Sequence, residues 1–219
     1  MLHQHFLSNK KILEREIKYA ELKQEDIVLE IGAGPGHLTR ALSKKSKVFA
    51  VEKDIKFISE LKIIKNTEVF HCDILDFFKE EHKFNKIVSN IPYYLSQEIL
   101  LGLLRKEWDI CVLLVQKEFG EKIFSKEKLA LLVEDCCSVE IMGLVKANDF
   151  TPKGVDSVFL VLKQKKKLDE RLWNFLRKIY KVKNKNAGKL ENCPEKLKQK
   201  KIHQLTLEEI KEILEKNTN

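Results

Sequence analysis

Short apolar runs alternate with amphipathic stretches over the first three quarters of the chain. Ile27 to Ile31, Lys47 to Val51, Thr67 to His71, Lys86 to Ser89 and Ile110 to Val115 are too short for helices and rich in β-branched residues, which predicts buried strands. The intervening stretches carry helical spacing. Ile12, Leu13, Ile17 and Ala20 share one face of a first helix, with Ser8 as its cap. Others are expected through about Ser43, from Asp54 to Ile64, from Ser96 to Lys106, from Gln116 onward and over Leu129 to Val133. Two late runs, Val139 to Val145 and Val155 to Leu162, predict a closing β-hairpin pair, and the polar Asp149 to Ser157 loop between them reads as surface. Alternating strands and helices predict an α/β fold with a mostly parallel sheet over residues 1–162. After a charged hinge, Lys163 to Lys167, the stripe Leu168, Leu172, Phe175, Leu176 and Ile179 and the Thr206/Glu209 capping box predict a small helical C-terminal domain, 163–219.

Chemistry enters where the first strand stops. Gly32, Gly34 and Gly36 follow Ile31 at a spacing of two, a strand–turn–helix junction whose bare backbone lets a ligand approach closely. A dinucleotide fingerprint would need its last glycine at position 37, which holds His37, and Pro35 removes an N–H that a phosphate cradle would use. The turn suits a nucleoside without phosphates, such as S-adenosylmethionine; an ordinary tight turn is the alternative. Glu52 ends the second strand 20 positions after Gly32, the offset at which a carboxylate meets a ribose, though it could equally be a solvated acid paired with Lys53. Asp73 ends the third strand and could accept from an adenine amino group with Ile74 on the ring, or simply cap the next turn.

The fourth strand runs into Asn90-Ile91-Pro92-Tyr93. An exocyclic adenine nitrogen is a poor nucleophile because its lone pair is delocalised into the ring. Two acceptors on its hydrogens, the Asn90 side-chain oxygen and the Ile91 carbonyl, would draw it toward tetrahedral geometry and free that pair. Tyr93 would stack beneath the base, worth about 1–3 kcal/mol, and Pro92 fixes the turn.

Charge adds a partner. The formal net charge is +8, and residues 163–219 hold 17 Lys and Arg against 8 Asp and Glu, so the basicity sits in the C-terminal lobe, a footprint for nucleic acid or simply the solvated faces of lysine-rich helices. No apolar run approaches the roughly 20 residues of a membrane span, and the N-terminus lacks a signal-peptide core, so a cytoplasmic protein without a membrane partner is expected. Five cysteines without C-x-x-C spacing and six histidines without H-E-x-x-H argue for free thiols and no metal site.

Gln4-His5-Phe6-Leu7, Glu30-Ile31-Gly32-Ala33-Gly34, Val51-Glu52, Cys72-Asp73, Asn90-Ile91-Pro92-Tyr93, Gln116-Lys117-Glu118 and Phe150 to Ser157 together resemble the ribosomal-RNA adenine dimethyltransferase family. The resemblance implies a Rossmann-like S-adenosylmethionine-dependent methyltransferase sheet with a small helical C-terminal domain. It implies dimethylation of two adjacent adenosines near the 3′ end of small-subunit rRNA, by a monomer that meets immature small ribosomal subunits. By position it puts His5 and Leu7 against the methionine part of the cofactor, completes that pocket with Gly32, Gly34, Glu52, Asp73, Ile74 and Asn90, and makes Asn90 and Tyr93 the catalytic pair with Phe150 as a second wall. The arm carries His5 where the family often has Asn, and Gly154 stands where a lysine is frequent. Rival readings are a large-subunit rRNA adenine methyltransferase, an assembly factor acting mainly by binding, and a small-molecule N-methyltransferase.

Overall fold

A computed structural model describes residues 6, 7 and 9–217. In chain order the elements are β1 (Phe6–Leu7), α1 (Lys10–Tyr19), β2 (Ile27–Ile31), α2 (His37–Leu42), β3 (Lys47–Glu52), α3 (Ile55–Lys62), β4 (Thr67–His71), α4 (Ile74–Phe77) and β5 (Lys86–Asn90). They continue with α5 (Ser96–Leu103), β6 (Ile110–Gln116), α6 (Lys117–Lys122), α7 (Lys128–Cys136), β7 (Cys137–Val145), β8 (Phe150–Thr151), β9 (Ser157–Gln164), α8 (Glu170–Ile179) and α9 (Leu207–Lys216).

Seven strands form one sheet in the order β4-β3-β2-β5-β6-β9-β7, parallel from β4 to β6 and closed by antiparallel β9 and β7. The strand–helix alternation leads to this arrangement because a parallel neighbour must be reached by a crossover, and the crossover helices cover both faces. Successive residues of a strand serve opposite layers. Val28, Val48 and Val112 pack with Ile12, Leu13, Ile17, Leu38 and Leu42 on one side, while Leu29, Ile87 and Leu113 pack with Ile99, Leu103 and Leu132 on the other.

The first helix is capped one residue later than expected. Ser8 lies outside the described residues, and the Asn9 side chain accepts from Lys11 N at 3.1 Å. Asp54 and the Thr206/Glu209 box cap α3 and α9 as the sequence predicts. The loop after β7 departs from expectation at its ends: Phe150 and Ser157 are buried at 5% and 0% exposure. Phe150 belongs to β8, which pairs antiparallel with β1 so that Leu7 faces Phe150.

Past the hinge, Leu172, Leu176, Ile179, Ile210 and Ile213 join the apolar cluster that contains Leu131 and Leu132 of α7. The buried Asp135 carboxylate of α7 pairs with Lys166 of the hinge at 2.9 Å and with Lys211 of α9, pinning the lobe to the sheet layer.

Candidate active site

Strand order reverses between β2 and β5, and the carboxyl ends of strands at such a point flank the crevice in which open α/β sheets bind ligands. The crevice is built locally. Backbone pairing between β2 and β5 covers Val28 with Lys86 and Leu29 with Ile87; beyond it the Ser89 hydroxyl takes over, accepting from Ile31 N at 3.1 Å and donating to Ile31 O at 2.7 Å. The two strand ends are thereby held side by side. Gly32 follows one of them and Asn90 ends the other.

The glycine turn runs through left-handed backbone at Gly32, Gly34 and Gly36, with φ of 70°, 52° and 78°. Gly32 is exposed while Ala33 and Gly34 are buried, and a Cβ at position 32 would stand 3.6 Å from Pro92 Cδ, so the two turns meet. Glu52 is 4% exposed and ties this turn to its own strand end. Its Oε2 accepts from Gly34 N and its Oε1 from Asp54 N, each at 2.7 Å. The alternative of a solvated acid paired with Lys53 does not hold, because Lys53 pairs instead with Asp73 at 2.9 Å. Each Glu52 oxygen retains a second lone pair, so the carboxylate can still accept from vicinal hydroxyls.

Asp73 does two things at once. Its Oδ1 caps α4 by accepting from Leu75 N at 2.9 Å, and its Oδ2 meets Lys53; the side-chain bond with Lys53 holds its carboxyl below the usual carboxylate range. The capping alternative is therefore realised, and it leaves Asp73 half-buried at the end of β4, beside the Glu52 end of β3. Ile74 is buried against Phe77 and contributes to the apolar layer below.

Beyond Asn90, the Ile91 side chain is buried and Pro92 leads into a short 3-10 turn, Tyr93–Leu95. The half-buried Tyr93 shares a 2.7 Å hydrogen bond with the Ser157 hydroxyl, which in turn donates to Val155 O at 2.9 Å. Burial pushes the Tyr93 phenol up to about 12, so it stays neutral. Gly154 packs flat on Phe150: a Cβ there would lie 3.0 Å from the ring, and the missing side chain is what lets the loop fold over it. Tyr93 thus meets Ser157 and Phe150 pairs with Leu7, while His5 lies outside the described residues.

A group that the sequence does not single out sits behind Asn90. Glu16 of α1 is 0% exposed, and the Asn90 amide is satisfied only with its nitrogen toward that carboxyl, 3.0 Å from Oε1 and 3.2 Å from Oε2. Burial, with the Glu30 charge second, moves Glu16 well above the usual range. Burial likewise pushes Glu30 up to about 8, and its Oε2 has no hydrogen-bond partner among the described residues. A signal was present in the chain: position 16 falls in the middle of the stripe Ile12, Leu13, Ile17 and Ala20, where an acid has no packing reason to be.

The crevice fits S-adenosylmethionine. A glycine turn open at Gly32, a buried carboxylate at the end of β3 with lone pairs to spare and a second carboxylate at the end of β4 match the needs of backbone, ribose and adenine.

Comparison with known proteins agrees with the geometry. A family model described as ribosomal RNA adenine dimethylase matches residues 1–218. A relative from Thermococcus gammatolerans, named "Probable ribosomal RNA small subunit methyltransferase A", is 39% identical over 175 residues, a match that covers 75% of this chain and 62% of that protein. One of the same name from Thermococcus sibiricus is 32% identical over 98% of this chain and 90% of the relative. Among solved structures, a dimethyladenosine transferase from Plasmodium falciparum superposes with a TM-score of 0.82 at 26% identity, covering 98% of both chains.

Proposed function

Because the chain belongs to the ribosomal RNA adenine dimethylase family, we propose that the crevice between β2 and β5 methylates adenine N6 twice, with Asn90 and Tyr93 acting on the base and Gly32, Gly34, Glu52, Asp73 and Ile74 framing the donor. The reaction of the family is S-adenosylmethionine-dependent dimethylation of adenosine in rRNA. When bound, S-adenosylmethionine supplies the electrophilic methyl group. The protein's part is to make the amine reactive and to hold it in line.

In the first transfer Asn90 Oδ1 and the Ile91 carbonyl accept from the two N6 hydrogens, and in the second one of them accepts from the single hydrogen that remains, which localises the nitrogen lone pair. Each transfer breaks the donor's S–CH3 bond to leave a neutral thioether, and the methylated nitrogen then gives up a proton to solvent. The Tyr93 ring stacks under the base and favours the cationic nitrogen that forms as the methyl arrives. Its hydroxyl is tethered to Ser157, so the ring plane is set before the base enters. Phe150 closes the far side of the slot, with Leu7 beside it on β1. No side chain here acts as a nucleophile toward the methyl group. A stacked base must swing out to reach the slot, at a cost of a few kcal/mol, offset by Tyr93 and by backbone contacts from the basic lobe.

The substrate is the small-subunit rRNA, read at two adjacent adenosines near its 3′ end, on an immature small subunit in the cytoplasm, with the enzyme acting as a monomer. The names of the relatives support the small subunit over the large. Lys178, Lys181, Lys185, Lys189 and Lys201 form no ion pair among the described residues and are available to phosphates. No helix among the described residues is long and apolar enough to cross a membrane. The observation that carries the reading is the convergence of the Gly32 turn and the Asn90-Ile91-Pro92-Tyr93 turn at the reversal of strand order. Primer extension on rRNA after incubation of unmethylated small subunits with enzyme and donor tests it: two adjacent stops near the 3′ end are expected.

A further inference from the structure

Burying an acid in the apolar stripe of α1 costs several kcal/mol unless something compensates. Glu16 has no ion-pair partner among the described residues, and the hydrogen-bonding side chain it meets is that of Asn90. One end of the Asn90 amide faces both Glu16 oxygens at nearly equal distance, 3.0 and 3.2 Å. An amide has a donor end and an acceptor end, so whichever end is spent on Glu16 fixes the end left over. A nitrogen in that position donates to a carboxylate; an oxygen there would face at least one further acceptor.

We propose that Glu16 is a positioning residue for methyl transfer: as a carboxylate it holds the Asn90 amide nitrogen, and so leaves Oδ1 as the end that accepts from the adenine amine. This rests on the reading of Asn90 as an acceptor for N6. A protonated Glu16 would offer its O–H to Oδ1 instead, turn the amide over and present an NH₂ group to another NH₂ group, which cannot bond productively. The exchange couples turnover to the charge on Glu16 while the donor pocket on the other strand ends is untouched.

Other groups around Glu16 set where that charge appears. Glu30 projects from β2, and its charge adds to burial in making Glu16 harder to ionise. Glu52 acts in the same sense on Glu30. Beyond β5 the Tyr93 phenol stays neutral, and Arg15, the neighbour on α1, lies over the Phe159 ring at 5.5 Å. The two buried acids titrate as a pair, so ionisation of Glu16 comes above the ordinary carboxylate range and turnover climbs with pH across it.

Steady-state methylation of small subunits across pH tests the proposal in the full-length protein, with the wild type beside Glu16→Gln, Glu16→Leu, Glu30→Gln and Asn90→Ala. Glutamine, like a protonated Glu16, carries a donor beside its acceptor and no longer dictates which end of the Asn90 amide it meets, so Glu16→Gln is expected to hold kcat near the level of the wild-type acidic limb at every pH, with no limb of its own. Glu16→Leu is expected to lower kcat at least 30-fold with the Kd for S-adenosylmethionine within twofold, and to add nothing in an Asn90→Ala background. Glu30→Gln keeps the limb and moves it to lower pH, because a neighbouring negative charge is gone. Superimposable pH profiles for the wild type and Glu16→Gln would overturn the proposal, and this pair decides the matter even if the leucine variant does not fold. Wild-type kcat in a folded Glu16→Leu protein would overturn it too. If those outcomes occur while Asn90→Ala is inactive, only the role of Glu16 fails; full turnover by Asn90→Ala would remove the reading of the site itself.

Discussion

Asn90 and Glu52 end the strands on either side of β2 but answer to different substrates, and their variants separate accordingly. Asn90→Ala is expected to reduce kcat about 10²-fold or more, the usual cost of deleting one preorganised polar group at a reacting centre, with the donor Kd nearly unchanged by calorimetry. Glu52→Gln does the reverse. Charge-assisted bonds contribute about 1.5–3 kcal/mol each, so donor binding weakens roughly tenfold or more while turnover at saturating donor stays close to the wild type. Glu30 gives a third residue-level expectation, on stability. Its folded pKa of about 8 lies above the ordinary 4.5, so its contribution is complete below 4.5 and is lost as pH rises from there through about 8. Thermal melts from pH 5 to pH 8 are expected to show a falling Tm, with a shallower fall in Glu30→Gln. Much of this chemistry is legible from the chain, because glycine spacing and an Asn-Ile-Pro-Tyr turn after a strand are local patterns. The partners of those residues are not. That Lys53 serves Asp73 rather than Glu52, and that Glu16 backs Asn90, depends on which elements become neighbours, a fact with a sequence separation of 20 residues in one case and 74 in the other.

Among elements, the bridge that shapes the crevice is Ser89, between β2 and β5. Ser89→Ala leaves both Ile31 N and Ile31 O buried without this partner, and a destabilisation of about 1–3 kcal/mol is expected in chemical denaturation, with a fall in donor affinity because the Gly32 turn is no longer held against Pro92. Strand and helix order follow directly from the alternation of apolar runs with helical stripes, and the antiparallel pairing of β7 with β9 follows from the late hairpin pattern. What periodicity could not give is the pairing of β1 with β8: two residues on each strand carry no period, and their partnership spans more than 140 positions of chain. The same pairing explains why Phe150 is buried although its loop is polar.

Taken as a whole, the molecule joins a nearly neutral catalytic layer to a basic lobe that shares its apolar cluster. Replacing Lys178, Lys181 and Lys185 with glutamate is expected to weaken rRNA binding uniformly across sequences, leaving donor affinity unchanged. The slope of log Kd against log salt is expected to fall by about one for each phosphate that no longer meets a lysine. The most direct test of the central claim is transfer of labelled methyl groups from S-adenosylmethionine to unmethylated small subunits, with the modified positions mapped on the rRNA for the wild type and Asn90→Ala. Two dimethylated adenosines side by side near the 3′ end are expected with the wild type and neither with the variant. Label absent from rRNA, or equal labelling by the two proteins, would contradict that claim.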